Sequence, residues 1–316
     1  MILTELFFLV VYLSLVGGLF GLVSLFLSRV LKRALPLWFS LCGLALYGIP
    51  VLSPQVRLFS PEPEQRLPAF HMAALVWAAG CVLFLAYRVV RVLWAGKSLR
   101  RCPPCQDQRL LGLSAQCAHA LGVKRTPPLR ETPLDAPITV ARALRPVLLV
   151  DTATLSQLTD AQLCAVFTHE LTHVRRRHLL FQRVYDVACA LHWFNPLVWL
   201  CREDFALHCE TDCDAHALRA LAGSVTGGEY AQAVLRLLEL SACRGAKAAQ
   251  GLGALTFLHT KRRLGRILAK PIPWKERLLA AGLVVLLVLA LAFSGEFSRQ
   301  HFYPYPAYSV GTESGA

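Results

Sequence analysis

Two histidines and a glutamate within five residues are the side chains of this sequence best suited to chemistry. The stretch reads His169-Glu170-Leu171-Thr172-His173, the pattern H-E-x-x-H. Residues four apart lie one turn apart on the same face of a helix, so both imidazoles can point at one metal ion. Glu170 would stand beside them, where it could take a proton from a water molecule. The spacing predicts a zinc site of the peptidase type; the alternative is a surface helix with two unrelated histidines.

The flanking sequence predicts the helix that this spacing requires. Thr159 and Gln162 have the spacing of a capping box, which marks a helix start. Apolar residues then recur at helical intervals, with no Gly or Pro until well beyond the second histidine. We therefore expect a helix over residues 160–180.

A zinc peptidase site needs a third protein ligand and one position left open for water. The stretch 202–214 follows downstream, and its apolar and acidic residues recur at helical spacing. Glu210 is the ligand that we expect, and Asp214, one turn later, would hydrogen-bond a ligand histidine. The chemically competent rivals in this stretch are His208, Cys209, Asp212 and Cys213.

The composition is that of a membrane protein. Hydrophobic residues make up 55% of the 316 residues, charged residues only 17%, and the mean hydropathy is +0.47. A signal peptide is not expected, because the basic residues follow the first apolar segment instead of preceding it. Eleven scattered cysteines indicate reduced thiols and exclude a secreted disulfide framework. The segments long enough to span a bilayer are 2–27, 35–52, 68–94 and 278–293.

Basic residues set the expected orientation in the membrane. They cluster at 29–33 and 97–101, which places these flanks in the cytoplasm and both termini outside. The net charge of +13 suits a domain that lies against an anionic leaflet, and the sequence shows no nucleic-acid recognition motif. The expected layout is a three-helix membrane region at 1–96, a cytoplasmic zinc metalloprotease domain at 97–275, a fourth membrane helix at 276–294 and an extracytoplasmic tail at 295–316.

Several stretches occur together in one order. The H-E-x-x-H motif is preceded by Arg145-Pro146-Val147-Leu148-Leu149 and followed by His-Trp-Phe-Asn-Pro-Leu-Val-Trp at 192–199. Glu210-x-x-Cys213-Asp214 comes next. With three spans before these stretches and one after, the chain resembles the BlaR/MecR family of membrane zinc metallopeptidases over nearly its whole length to Phe293.

The resemblance implies a mainly α integral membrane protein, with a cytoplasmic α+β zincin-like domain between the third and fourth of four transmembrane helices. It implies that His169, His173 and Glu210 bind zinc, that Glu170 is the catalytic base and that Asp214 supports the site. The expected substrate is a cytoplasmic protein, either a DNA-binding repressor or the chain itself, and the expected location is the bacterial inner membrane.

Some details depart from the family or stay open. The penicillin-binding sensor of the founding members is expected to be absent, so β-lactam sensing is not expected, and His178 stands where relatives often have an acidic residue. His192 is either an accessory group in the reaction or a packed core histidine. Thr256-Phe257 is the expected region of any self-cleavage. The alternatives are a non-catalytic transmembrane transducer with a structural or empty metal site and a membrane quality-control protease. A homodimer is also an open alternative.

Overall fold

The computed structural model describes residues 2–30, 37–48, 68–131 and 137–244, with the single residues 265 and 282. Over these residues the chain is mostly helical and contains one three-stranded sheet. The helices are α1 (Ile2–Val30), α2 (Leu37–Leu46), α3 (Pro68–Arg101), α4 (Gln108–Ala120), α5 (Thr152–Leu155), α6 (Asp160–Arg175), α7 (His178–Leu191), α8 (Pro196–Ala220) and α9 (Gly227–Arg244). The strands are β1 (Leu129–Glu131), β2 (Ile138–Ala141) and β3 (Val147–Val150).

Two helices in the described part of the chain are long and apolar enough to cross a membrane. They are α1, over Ile2–Phe26, and α3, over Pro68–Arg101, and they coincide with the first and third predicted spans. Of the second predicted span, 35–52, the structure describes helix α2. The fourth predicted span, 278–293, lies outside the described residues except for residue 282, and Thr256-Phe257 lies outside them as well.

The sheet has the order β1-β3-β2, with β1 parallel and β2 antiparallel to the central strand. Its apolar side chains pack with helices α4 and α6 in one core, which includes Leu110, Leu148 and Phe167. Strands β2 and β3 are rich in the β-branched and apolar residues that favour strands. Strand β1 reads Leu-Arg-Glu and carries no alternating pattern that would indicate a strand.

Helix α6 begins as predicted and ends earlier than predicted. The Thr159 side chain accepts from the Gln162 backbone N–H, and the Gln162 side chain accepts from the Thr159 backbone, which completes the capping box. The predicted end near residue 180 is wrong. Arg177 adopts the left-handed conformation, with φ of 54°, so α6 stops at Arg175 and α7 starts in a new direction at His178.

Helix α8 contacts both the H-E-x-x-H helix and the apolar helices near the N-terminus. Asn195 caps it by accepting from the Leu197 backbone N–H, and Pro196 occupies the first helical position, where its missing N–H costs nothing. The helix packs against α6 and α7 and also against α1 and α2. Some side chains of α8 can therefore face the H-E-x-x-H helix while other side chains of α8 contact α1 and α2.

Candidate metal centre

Helix α6 holds the two histidines of the motif on its buried face. His169 and His173 are each 7% exposed, because the same helix packs into the core through Phe167 and Leu171. Their Nε2 atoms are 3.4 Å apart. Two buried ring nitrogens at this distance must share a proton or a cation, since two lone pairs facing each other would be costly.

Glu210 reaches the same point from helix α8. Its Oε2 atom is 3.3 Å from His169 Nε2, and its Oε1 atom is 3.4 Å from His173 Nε2. The packing of α8 across α6 brings this carboxylate to the histidine pair. The Glu210 side chain is 33% exposed, so the cluster is open to solvent on the Glu210 side.

These donors fit a zinc ion in chemistry and in spacing. Imidazole nitrogen and carboxylate oxygen are ordinary zinc ligands, with bonds of about 2.0–2.2 Å. Two such atoms on a tetrahedral ion are about 3.4 Å apart. The two histidine nitrogens are 3.4 Å apart, and each lies 3.3–3.4 Å from a different oxygen of the Glu210 carboxylate, which completes a triangle of donor groups. The three residues fit a site with three protein ligands.

Cys213 supplies a second possible donor. Its Sγ atom and one ring nitrogen of each motif histidine all lie within 4.8 Å of one another. Burial raises the pKa of the Cys213 thiol far above its usual range, and the carboxylates of Glu210 and Glu170 raise it further. Without a bound cation the thiol therefore stays protonated, 3.4 Å from His178 Nδ1. The Glu210 triangle has the closer spacing of the two donor sets.

The other sequence-level rivals have different partners. His208 Nδ1 lies 2.6 Å from Ser40 Oγ on helix α2. Cys209 is fully buried in the core between α2, α7 and α8. Asp212 pairs with Arg176, whose Nε atom lies 3.0 Å from Asp212 Oδ2.

Glu170 follows His169 directly on helix α6 and is half-buried. Its negative charge acts on the Cys213 thiol, whose pKa it raises, so its carboxylate lies near the cluster. A carboxylate beside the histidine pair is the group that proton transfer to and from a reacting water would require.

Asp214 and Tyr230 hold His169 from the side opposite the cluster. His169 Nδ1 lies 2.9 Å from Asp214 Oδ1 and 3.1 Å from the Tyr230 hydroxyl. That hydroxyl donates to Asp214 Oδ1 at 2.9 Å. A proton on Nδ1 leaves the Nε2 lone pair for a metal, which is the usual support for a ligand histidine. The sequence indicated Asp214, but it gave no signal for Tyr230.

His178 performs the corresponding task for His173. The two Nδ1 atoms are 3.3 Å apart, so one ring must donate and the other accept. His178 Nε2 faces Asp212 Oδ2 at 3.4 Å. Burial alone would raise the pKa of Asp212, but the contact with His178 and the charges of His216 and Arg176 outweigh burial and lower it. The ionised Asp212 favours a proton on His178 Nε2, which leaves Nδ1 to accept from His173.

His192, the predicted accessory group, contacts a different part of the molecule. Its Nε2 atom donates to the Tyr47 carbonyl oxygen at 3.0 Å, and the two rings meet edge to face. Burial lowers the pKa of His192 to about 4, although the bond to Tyr47 acts in the opposite direction. Within the described residues, no contact joins His192 to the motif histidines. This geometry is that of a packed core histidine, one of the two alternatives that the sequence left open for His192.

A comparison with protein-family models places this geometry in a known group. The model of the BlaR1 peptidase M56 family matches residues 55–267, about two-thirds of the chain. The chain belongs to the BlaR1 peptidase M56 family. The matched region contains both motif histidines, Glu210 and Asp214, and it begins before helix α3.

Curated proteins give the same assignment. The chain is similar to the regulatory protein BlaR1 of Bacillus licheniformis, with 24% identity over 190 residues, which is 60% of this chain and 31% of that protein. It is also similar to the methicillin resistance mecR1 proteins of Staphylococcus aureus and Staphylococcus epidermidis, with 25% identity over 153 residues. Those matches cover 48% of this chain and 26% of each relative. The matched part is thus less than a third of each relative. The resemblance seen in the sequence is confirmed.

Proposed function

We propose that the chain is a membrane zinc endopeptidase that acts in signal transduction. The observation that carries this proposal is the triangle of His169 Nε2, His173 Nε2 and the Glu210 carboxylate, with edges of 3.3–3.4 Å. Family membership supports a peptidase. Relatives named as a regulatory protein and as methicillin resistance proteins support a regulatory role.

In this proposal His169, His173 and Glu210 hold the metal. When bound, zinc supplies a Lewis acid that polarises a carbonyl oxygen and lowers the pKa of a water molecule. Glu170 takes a proton from the attacking water and delivers it to the leaving amine. Asp214, with Tyr230, keeps the His169 ring turned so that its Nε2 lone pair faces the site.

The edge of the sheet offers a place for an extended substrate. Strand β2 pairs with β3 on one side, and the described residues add no strand on its other side. Helix α6 packs against β2, so this edge runs beside the motif helix. An extended peptide could add to β2 through backbone hydrogen bonds, and the arrangement would place its carbonyl groups near the histidine pair.

We further propose that residues 97–275 form the cytoplasmic domain of an inner-membrane protein, with both termini outside. The substrate would then be a cytoplasmic protein of the repressor type, or the chain itself. The basic clusters that flank the spans support this orientation.

The test compares the wild-type chain with Glu170→Ala in the same membrane. We expect both proteins to retain one zinc ion, because Glu170 lies outside the ligand triangle, and only the wild type to generate fragments of a cytoplasmic protein. Mass spectrometry of new peptide termini in the cytoplasm gives the readout. Equal fragment patterns from wild type and Glu170→Ala, both containing zinc, would contradict the peptidase proposal.

Cys213 favours one alternative function. If its thiolate joined Glu210 and the two histidines, four protein ligands would close the site, as in structural zinc sites. The chain would then be a transducer without catalysis. A Co²⁺-substituted protein separates the two cases, because a thiolate ligand gives a near-ultraviolet charge-transfer band that Cys213→Ala removes. Absence of that band in the wild type leaves the open, peptidase-type site.

A further inference from the structure

Three arginine side chains converge on one buried carboxylate where helix α3 meets α7 and α8. Arg202 donates from Nε to Asp186 Oδ1 at 2.9 Å, and Arg183 donates to Asp186 Oδ2 at 3.0 Å. Arg88, from α3, also pairs with Asp186 Oδ2. The Asp186 side chain is only 7% exposed, whereas the three arginine side chains are between 32% and 52% exposed.

This cluster carries an uncompensated positive charge. Three guanidinium groups against one carboxylate leave a net charge of +2. Across the described ranges of the chain, Asp186 is the acidic side chain with which these arginines pair. Each guanidinium carries several N–H donors in a planar fork, and Asp186 accepts from a minority of them. The exposed side of the cluster is therefore a concentrated set of cationic donors.

Arg88 lies in the last turns of the predicted third span, 68–94, close to the end that the basic residues at 97–101 follow. Long arginine side chains near the end of a membrane helix extend toward the lipid headgroups. Exposed apolar side chains adjoin the cluster on two helices. Val89 on α3 is 55% exposed, and Val184 and Val187 on α7 are each 47% exposed.

We propose that Arg88, Arg183 and Arg202 bind the phosphate group of an anionic phospholipid. Guanidinium forks match phosphate oxygens and hold them by paired, charge-assisted hydrogen bonds. The exposed valines beside the forks give the acyl chains an apolar surface. A free phosphate ion has the same headgroup chemistry, but it lacks the acyl chains that this surface would contact.

The site would connect the membrane to the metal centre. Arg202 and Glu210 lie on the same helix, α8, eight residues apart and hence about 12 Å along its axis. A lipid that clamps Arg202 to Arg88 would fix α8 against α3. The proposal concerns lipid binding alone, so its test requires neither zinc nor a substrate.

The test uses the full chain in detergent micelles with phosphatidylglycerol and phosphatidylcholine at equal concentration. Native mass spectrometry counts the lipids retained by each protein. We expect the wild type to prefer phosphatidylglycerol. Arg183→Gln and Arg202→Gln should each reduce this preference about fivefold, because one positive charge near an anionic surface contributes a binding free energy of that size. Asp186→Asn should increase the preference, because it removes the carboxylate that competes with phosphate.

The arginine variants should lower the preference for phosphatidylglycerol, whereas Asp186→Asn should raise it. In a purely structural cluster, all of these variants would lower stability and leave the lipid preference unchanged. Arg236→Gln is the matched control, because Arg236 is also half-exposed and paired with one carboxylate, that of Glu239. A third arm replaces lipid with inorganic phosphate. Equal lipid preference in wild type and arginine variants would overturn the proposal. So would thermal stabilisation by inorganic phosphate as large as that by phosphatidylglycerol.

Discussion

At the scale of single residues, the candidate site depends on how its two histidines are held on the side away from the proposed metal position. His169 is held by Asp214 and by the Tyr230 hydroxyl, and His173 is held by His178. Removing such an outer partner usually lowers metal affinity about 10- to 100-fold. Tyr230 allows this effect to be measured with the loss of a single oxygen atom.

We expect Tyr230→Phe to weaken zinc binding about tenfold, because Asp214 loses a donor and the His169 ring loses one of its two Nδ1 contacts. The stability loss should be about 1 kcal/mol, the usual worth of a buried hydrogen bond. Zinc competition against a chromophoric chelator measures the affinity, and thermal unfolding measures the stability.

Tyr185→Phe is the matched control for this prediction. Tyr185 is equally buried, and its hydroxyl donates to the Ser40 backbone oxygen at 3.3 Å, at the contact with helix α2. This variant should lose a similar amount of stability and keep wild-type zinc affinity. If both variants changed zinc affinity by the same factor, the Tyr230 hydroxyl would have no specific role at the metal.

The sequence alone predicts the part of the site that depends on local spacing. His169 and His173 lie four residues apart on one helix, so their juxtaposition follows from helical geometry. Glu210 and its rivals share one helix, and only the rotation of α8 against α6 decides which of them faces the histidines. Tyr230 comes from a third helix, α9, whose local pattern is that of an ordinary amphipathic segment. No short-range sequence pattern indicates the contact of Tyr230 with Asp214 and His169.

At the scale of elements, the break between α6 and α7 is the feature that sequence periodicity missed. Residues 174–181 contain no Gly or Pro, so the sequence gives no stop signal and predicts one helix. The chain instead turns at Arg177, an arginine in the left-handed conformation with φ of 54°. This turn directs His178 back toward His173, which a continuous helix would not allow. The contact between His178 and His173 therefore overrides the local preference for a continuous helix.

Arg177→Gly tests this break. Glycine adopts positive φ without the strain that a Cβ atom causes, so we expect the variant to be as stable as the wild type or more stable by up to about 1 kcal/mol. Arg175→Gly, in the last turn of α6, should instead lose up to about 1 kcal/mol, because glycine disfavours the helical conformation. Thermal unfolding in detergent compares the two variants. Equal destabilisation by both would mean that α6 continues through residue 177.

At the scale of the whole molecule, the corner between α7 and α8, residues 192–195, joins the candidate metal centre to the apolar helices α1 and α3. Asn195 donates to Ser14 on α1, to its Oγ at 2.8 Å and its carbonyl oxygen at 3.1 Å. On α3, the Trp77 ring nitrogen donates to the Leu191 carbonyl oxygen at 2.8 Å. Hydropathy predicts that α1 and α3 are apolar, but it cannot predict which segment of the chain docks on them.

Gly80 is where this docking can be tested with one methyl group. A Cβ atom at Gly80 would lie 2.4 Å from the Trp193 ring, and the Trp193 ring nitrogen donates to the Trp77 carbonyl oxygen one turn of α3 earlier. Gly80→Ala must therefore displace the indole or the helix. Overpacking of this kind costs about 1–3 kcal/mol.

Gly96→Ala on the same helix provides the comparison, because a Cβ atom there meets nothing within 4 Å. That variant should be neutral or stabilised by up to about 1 kcal/mol, the helix preference of alanine over glycine. Gly80→Ala should lower the unfolding temperature of the protein in micelles and shift the tryptophan emission to longer wavelength, because a displaced Trp193 ring becomes more exposed. If the two variants unfolded at the same temperature, the α7–α8 corner would not be seated on α3. The inferred path from membrane helices through α8 to Glu210 would then lose its first contact.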